Sequence, residues 1–142
     1  MTRPRIRTSD VITPELEGVL EAGLDSFNAA AAGYGDARSL AVVAEDSATG
    51  EVIGGATGRT SLGLLFLDLF YLPESRRGSG LGSEILEVFE AEGRARGCRS
   101  AVLYTISFQA PDFYERRGWT RFGEVPCDPP GTTRVFMSKA LR

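Results

Sequence analysis

The stretch Arg76-Arg77-Gly78-Ser79-Gly80-Leu81-Gly82 decides how the chain is read. Before it, residues 64–72 form an almost wholly apolar run except for Asp68, followed by Pro73, the pattern of a strand covered on both faces. After it, Leu81, Ile85, Leu86, Phe89, Ala91 and Ala95 outline a helix that stops near Gly97. Strand, glycine turn and helix thus follow in order, and unpaired N–H groups and the helix dipole favour an anion at such a turn. Glycines allow positive φ and close ligand approach, while Arg76 or Arg77 can add a charge-assisted hydrogen bond. The alternative at this level is a tight turn that holds nothing.

Working outward, Thr13 and Pro14 open a helical pattern through residue 32, carried by Leu16, Val19, Leu20, Leu24 and Phe27. Residues 40–44 and 52–58 read as a hairpin around the polar turn 46–50. Residues 101–106 read as another buried strand, 111–117 as a short helix closed by Gly118, and 119–125 with 133–138 as a final strand pair. The order α, β, β, β, α, β, α, β, β without repeats or linkers predicts one α/β (α+β) domain over residues 1–142. Its sheet is mixed, with helices on both faces.

Composition narrows the function. The 142 residues are 42% hydrophobic and 25% charged, enough for one core, and the net charge of -3 argues against a nucleic-acid partner. No apolar run is long enough to span a bilayer and no signal-type stretch follows the first ten residues, so a cytoplasmic protein is expected. The two cysteines, Cys98 and Cys127, form no Cys-x-x-Cys pair, and histidine is absent, which removes imidazole-based nucleophilic schemes and the usual metal sites. Acid–base work is left to carboxylates, tyrosine, cysteine, water or the lone Lys139.

Two familiar phosphate loops fail on spacing. The dinucleotide fingerprint needs a third glycine where Ser83 stands and an acidic residue about 20 positions on, where Cys98 and Arg99 lie. The nucleoside-triphosphate loop needs Gly-Lys-Ser/Thr, and the single lysine is at the far end.

The residues 77–82 match the Gln/Arg-x-x-Gly-x-Gly/Ala signature of the GNAT superfamily of acetyl-CoA-dependent N-acetyltransferases. Phe113-Tyr114-Glu115-Arg116-Arg117-Gly118-Trp119 resembles that superfamily's later Tyr-x-x-x-Gly-aromatic element, and the tail from Phe122 through Pro129-Pro130-Gly131 to Phe136 is similar to the ending of a group of bacterial members. The resemblance implies a largely antiparallel, splayed sheet in which the strand of Asp68 parts from the strand of Tyr104. Main-chain groups at Phe70, Tyr71 and Leu72 would then pair with pantetheine, and Arg77, Gly78, Ser79, Gly80, Leu81 and Gly82 would take the pyrophosphate. Ser107 stands where the superfamily often has a cofactor-binding asparagine. Phe27, Asn28 and Tyr34 fall on the acceptor side by the same resemblance, and Gln109 precedes the short helix; each is open to a packing or capping role instead. Acetyl-CoA as cosubstrate, no metal, a small-molecule or peptide amine as acceptor, and a homodimer by analogy complete what it implies.

Acetyl transfer needs a neutral amine, a stabilised oxyanion and a proton for the departing thiolate. Tyr114 is the candidate acid, or else an aromatic packed beneath the short helix. Asp68, a carboxylate in an apolar strand, is expected to face the cleft as a candidate base or substrate anchor, or else pairs structurally with an arginine such as Arg59. Glu115 is a weaker alternative, and Arg116-Arg117 reads as a solvent-facing charge pair. A non-catalytic acyl-CoA-binding or sensor domain is the competing class.

Overall fold

A computed structural model describes residues 2–142. They fall into two compact units, residues 2–35 and residues 36–142. The first contains α1 (Pro14–Ala32), whose N-terminus is capped by the Thr13 side chain accepting from the Leu16 N–H. Gly33 ends it in the left-handed conformation at φ 88°.

The second unit runs β1 (Arg38–Glu45), β2 (Val52–Ser61), β3 (Leu64–Tyr71), α2 (Leu81–Ala95), β4 (Ser100–Ile106), α3 (Pro111–Glu115), β5 (Thr120–Pro126) and β6 (Thr133–Ala140). The element order read from the sequence is the order observed. The strands form one sheet in the order β1-β2-β3-β4-β6-β5. Every neighbouring pair is antiparallel except β3–β4, which is parallel because α2 supplies the crossover between them.

One face of each strand except β5, which is exposed throughout, supplies the core. Leu65 and Leu67 of β3, Ala101 and Leu103 of β4, and Val135 and Met137 of β6 are buried with Ile85, Leu86 and Phe89 of α2. The other positions alternate outward, so the expectation that residues 64–72 and 101–106 are buried throughout is corrected: Leu69, Tyr71 and Tyr104 are exposed. An apolar run looks the same whether a strand is covered on one face or two, and periodicity cannot separate the cases.

A bulge interrupts β3. Gly58 of β2 faces Leu67 and Thr57 faces Leu69, which leaves Asp68 as the extra residue. Bulges bend a strand and strengthen its twist. Gly58 permits it, since a Cβ there would lie 1.8 Å from the Phe66 carbonyl oxygen and 2.8 Å from the Phe89 ring. The bend coincides with the end of β3–β4 pairing, which covers only Leu64–Leu67 against Ser100–Leu103. Beyond that point the two strands diverge.

Candidate active site

The divergence opens into a cavity of about 740 Å³. Its walls come from four segments of the second unit: the end of β3 with Phe70, Tyr71 and Leu72; the turn and first residues of α2 with Arg77, Gly78, Gly80, Gly82 and Ser83; Thr105 to Ala110 through Phe108 and Gln109; and α3 with Phe113, Tyr114 and Arg117 just beyond it.

The turn is built as its glycines require. Gly78 and Gly80 have φ of 81° and 88°, the left-handed region, and Gly80 is the N-cap of α2 without any side-chain cap. The first-turn N–H groups are therefore left for another acceptor. Arg77 holds the turn against the end of β3 by donating from Nε to the Leu72 carbonyl at 2.8 Å. That carbonyl is thus engaged within the chain, and the free edge lies at Phe70 and Tyr71.

Tyr114 sits at the centre of an aromatic cluster. Its ring meets Phe70, Phe113 and Trp119 edge to face, with centroids 6.4, 5.2 and 6.0 Å away. It is 8% exposed, and burial pushes its phenol up to about 12. The group is therefore protonated at neutral pH. The Tyr114 side chain packs in the core, as one sequence alternative has it, and also lines the cavity.

Trp119 carries the support further out. Its indole Nε1 donates to Glu90 Oε2 at 3.2 Å, and the other Glu90 oxygen meets Lys139 Nζ at 2.6 Å. Lys139 also donates to the Arg117 carbonyl at 2.7 Å. This buried network ties α2, β6 and the end of α3 together. It engages the lone lysine outside the cavity.

Several candidates lie elsewhere. Asp68 is not in the cavity wall: Arg59 Nη1 meets both its carboxylate oxygens at 3.0 Å, and its side chain is 46% exposed. The reading of Asp68 as paired with Arg59 describes this geometry. Ser79 and Leu81 belong to the turn and to α2 without lining the cavity, and Ser107 accepts through Oγ from the Thr133 N–H at 3.0 Å, joining the end of β4 to β6. Gln109 lines the cavity and uses Oε1 to accept from Thr105 Oγ1 and the Ile106 N–H. Phe27 and Asn28 lie on α1 and Tyr34 just beyond it, within the first unit.

Ser83, Thr105, Phe108 and Arg117 line the cavity without having been expected there from the sequence. Arg117 is the main correction. It is half-buried, lies over the Phe113 ring at 3.9 Å, and donates to Ser83 Oγ and the Phe113 carbonyl, so it is not a solvent-facing charge. Its place in the Tyr-x-x-x-Gly element, next to the glycine that turns the chain back toward α2, was the available signal.

A sheet split between two parallel strands thus carries a glycine turn at a helix N-terminus on one side of the cavity and a protonated tyrosine on the other. The family comparison is consistent with this: the Acetyltransferase (GNAT) family matches residues 9–119, and the chain belongs to that family. It is 35% identical over 131 residues to Acetyltransferase Atu2258 of Agrobacterium fabrum, covering 92% of this chain and 95% of that one. It is 37% identical over 109 residues to Blasticidin-S acetyltransferase of Streptomyces morookaense, covering 75% and 80% respectively. A crystal structure from Agrobacterium tumefaciens superposes with a TM-score of 0.85 at 31% identity, covering 96% of this chain and 99% of that one.

Proposed function

We propose that this acetyltransferase moves the acetyl group of acetyl-CoA directly to a primary amine of a small molecule or peptide, with Tyr114 as general acid. The observation that carries the reading is that the free end of β3, the glycine turn and the Tyr114 ring all line one cavity. Phe70 and Tyr71 offer main-chain groups for strand-like pairing with the pantetheine amides, and the turn from Arg77 to Gly82 offers N–H groups and a cation to the pyrophosphate. The thioester would supply an activated acyl group, so the chain's own residues need only position it and manage charge and protons.

As the C–N bond forms and the C–S bond breaks, the attacking nitrogen gives up a proton to water and the departing sulfur takes one. Tyr114 holds one at neutral pH because its phenol titrates near 12. It donates as the thiolate develops and is restored from solvent. Thiols titrate near 8.5, so the phenol stabilises the developing thiolate mainly by a hydrogen bond, and the released thiolate exchanges its proton with solvent. Asp68 stands outside the cavity beside Arg59, and on this reading it serves the acceptor side.

The relative named for blasticidin S favours a small-molecule amine over a peptide. The family match runs across both units, which supports treating the chain as one N-acetyltransferase domain. An acceptor screen tests the reading: thiol release from acetyl-CoA is followed over nucleoside-type amines, polyamines, aminoglycosides, amino acids and peptide N-termini. Turnover with at least one amine is expected. CoA binding without turnover on any of them would favour the acyl-CoA-binding module.

A further inference from the structure

Arg117 enters the cavity with its charge unmatched. Among the described residues, eight ion pairs form and none involves Arg117. Yet the side chain is half-buried, and it is fixed on all sides. Nε donates to Ser83 Oγ at 2.7 Å, Nη2 donates to the same oxygen, Nη1 donates to the Phe113 carbonyl at 2.8 Å, and the guanidinium lies on the Phe113 ring.

A guanidinium has five N–H groups, and three are used here, which leaves one on each terminal nitrogen. Ser83 Oγ accepts twice from Arg117, so its own proton is left to donate elsewhere. Ser83 belongs to the first turn of α2, two residues after Leu81. Two guanidinium protons and one hydroxyl proton are thus gathered beside the first-turn N–H groups of α2, in a cavity that also holds Arg77 and no carboxylate. Cations held this way next to the positive end of a helix repel one another unless an anion lies between them.

We infer that Arg117 and Ser83 form a second clamp on the pyrophosphate of CoA, facing the one that Arg77 and the glycine turn provide. Arg117 acts there as a binding residue for the phosphate charge, and Phe113 holds its plane. The inference rests on the cofactor reading above and adds to it a cation just beyond α3 that the glycine signature does not contain.

The test is calorimetric titration of CoA and of dephospho-CoA, which keeps the pyrophosphate but lacks the 3′-phosphate, at several salt concentrations. Arg117→Gln keeps polar reach toward the Phe113 carbonyl and removes the charge. Both ligands should bind it about ten- to a hundredfold more weakly than wild type, the range for hydrogen bonds to charged groups, and with a shallower salt dependence. Ser83→Ala should weaken both ligands less and keep the wild-type salt dependence, because the charge remains. Unchanged affinity and salt dependence in Arg117→Gln would overturn the inference, and so would a loss confined to CoA, which would place the contact at the 3′-phosphate. Should Arg117→Gln not fold, Arg117→Lys replaces it: losing the planar fork should weaken both ligands several-fold, and wild-type affinity for both would overturn the inference. Wild-type protein that binds neither ligand would refute the cofactor reading itself.

Discussion

Leu67 and Leu103 form the last pair between β3 and β4, and the residues that follow them, Asp68 and Tyr104, have no partner across the gap. The cavity begins there. Asp68 is also the bulged residue opposite β2, so the bend that opens the sheet and the outward turn of the carboxylate have one cause.

Gly58 is the residue that makes this bend sterically possible. Gly58→Ala would place a methyl group against the Phe66 carbonyl and the Phe89 ring, and backbone cannot yield as a flexible side chain can. The expected loss is about 1–3 kcal/mol, the usual range for overpacking, together with weaker CoA binding as the strand shifts. Denaturant unfolding and a CoA titration measure the two effects. Wild-type values in both would mean that the bulge does not depend on close approach at Gly58.

The Glu90 network supports Tyr114 from behind. Glu90→Ala strips Lys139 and Trp119 of their shared buried partner, and breaking such a pair costs about 3–5 kcal/mol. Glu90→Gln should cost less, since an amide oxygen can still accept from Trp119. Equal stability of Glu90→Ala and wild type in denaturant unfolding would show that the network adds nothing.

Burial of Tyr114 predicts a particular loss of stability in alkali. Its phenol titrates near 12 in the folded chain and near 10 when unfolded, so the folded state is favoured below pH 10 and loses that advantage as pH rises from 10 to 12. The part lost is about 2–3 kcal/mol, taken as order of magnitude from two pKa units. Tyr114→Phe should lack it, while lowering acetyl transfer by about 10²–10⁴-fold if the hydroxyl acts as general acid. Parallel alkaline unfolding of the two proteins would contradict the first expectation. Equal turnover, with chemistry rate-limiting, would contradict the second.

Asp68→Asn should leave CoA affinity unchanged, because Asp68 is outside the cavity wall. An exposed pair such as Arg59–Asp68 contributes about 0–1 kcal/mol, so stability should hardly move. Reduced turnover with a cationic acceptor would support the acceptor-side role. Full turnover would leave the pair with Arg59 as its whole function.

Much of this was readable from residue order because local signals and global fold agree: apolar runs, glycine punctuation and helical spacing all mark the same elements. The turn at residues 77–82 announced itself because positive φ and a helix start leave a mark in composition. The bulge did not, since a register shift depends on which residue of β2 faces Asp68, and no feature within β3 encodes its partner. For the same reason Asp68 could be marked as exceptional, while its expected direction toward the cleft could not be checked within β3 and the carboxylate meets Arg59 outside the cavity wall instead. Arg117 was missed because a charge beside another charge on a short helix usually faces water, and only the fold brings Ser83 and Phe113 to it.

The account rests on the claim that acetyl-CoA occupies the cavity with its pyrophosphate at the glycine turn. Calorimetric titration of CoA into wild-type protein and Gly80→Asp tests it most directly. Gly80 has open space around a Cβ position, and aspartate tolerates positive φ better than most residues, so the variant should fold at a modest cost. Its carboxylate would nevertheless stand where the phosphates must approach the N–H groups of α2. Wild type should bind CoA, and the variant should bind it at least about tenfold more weakly, the loss expected from one unfavourable charge at a phosphate site. Equal affinity in the two folded proteins would remove the turn from the cofactor site and contradict the account.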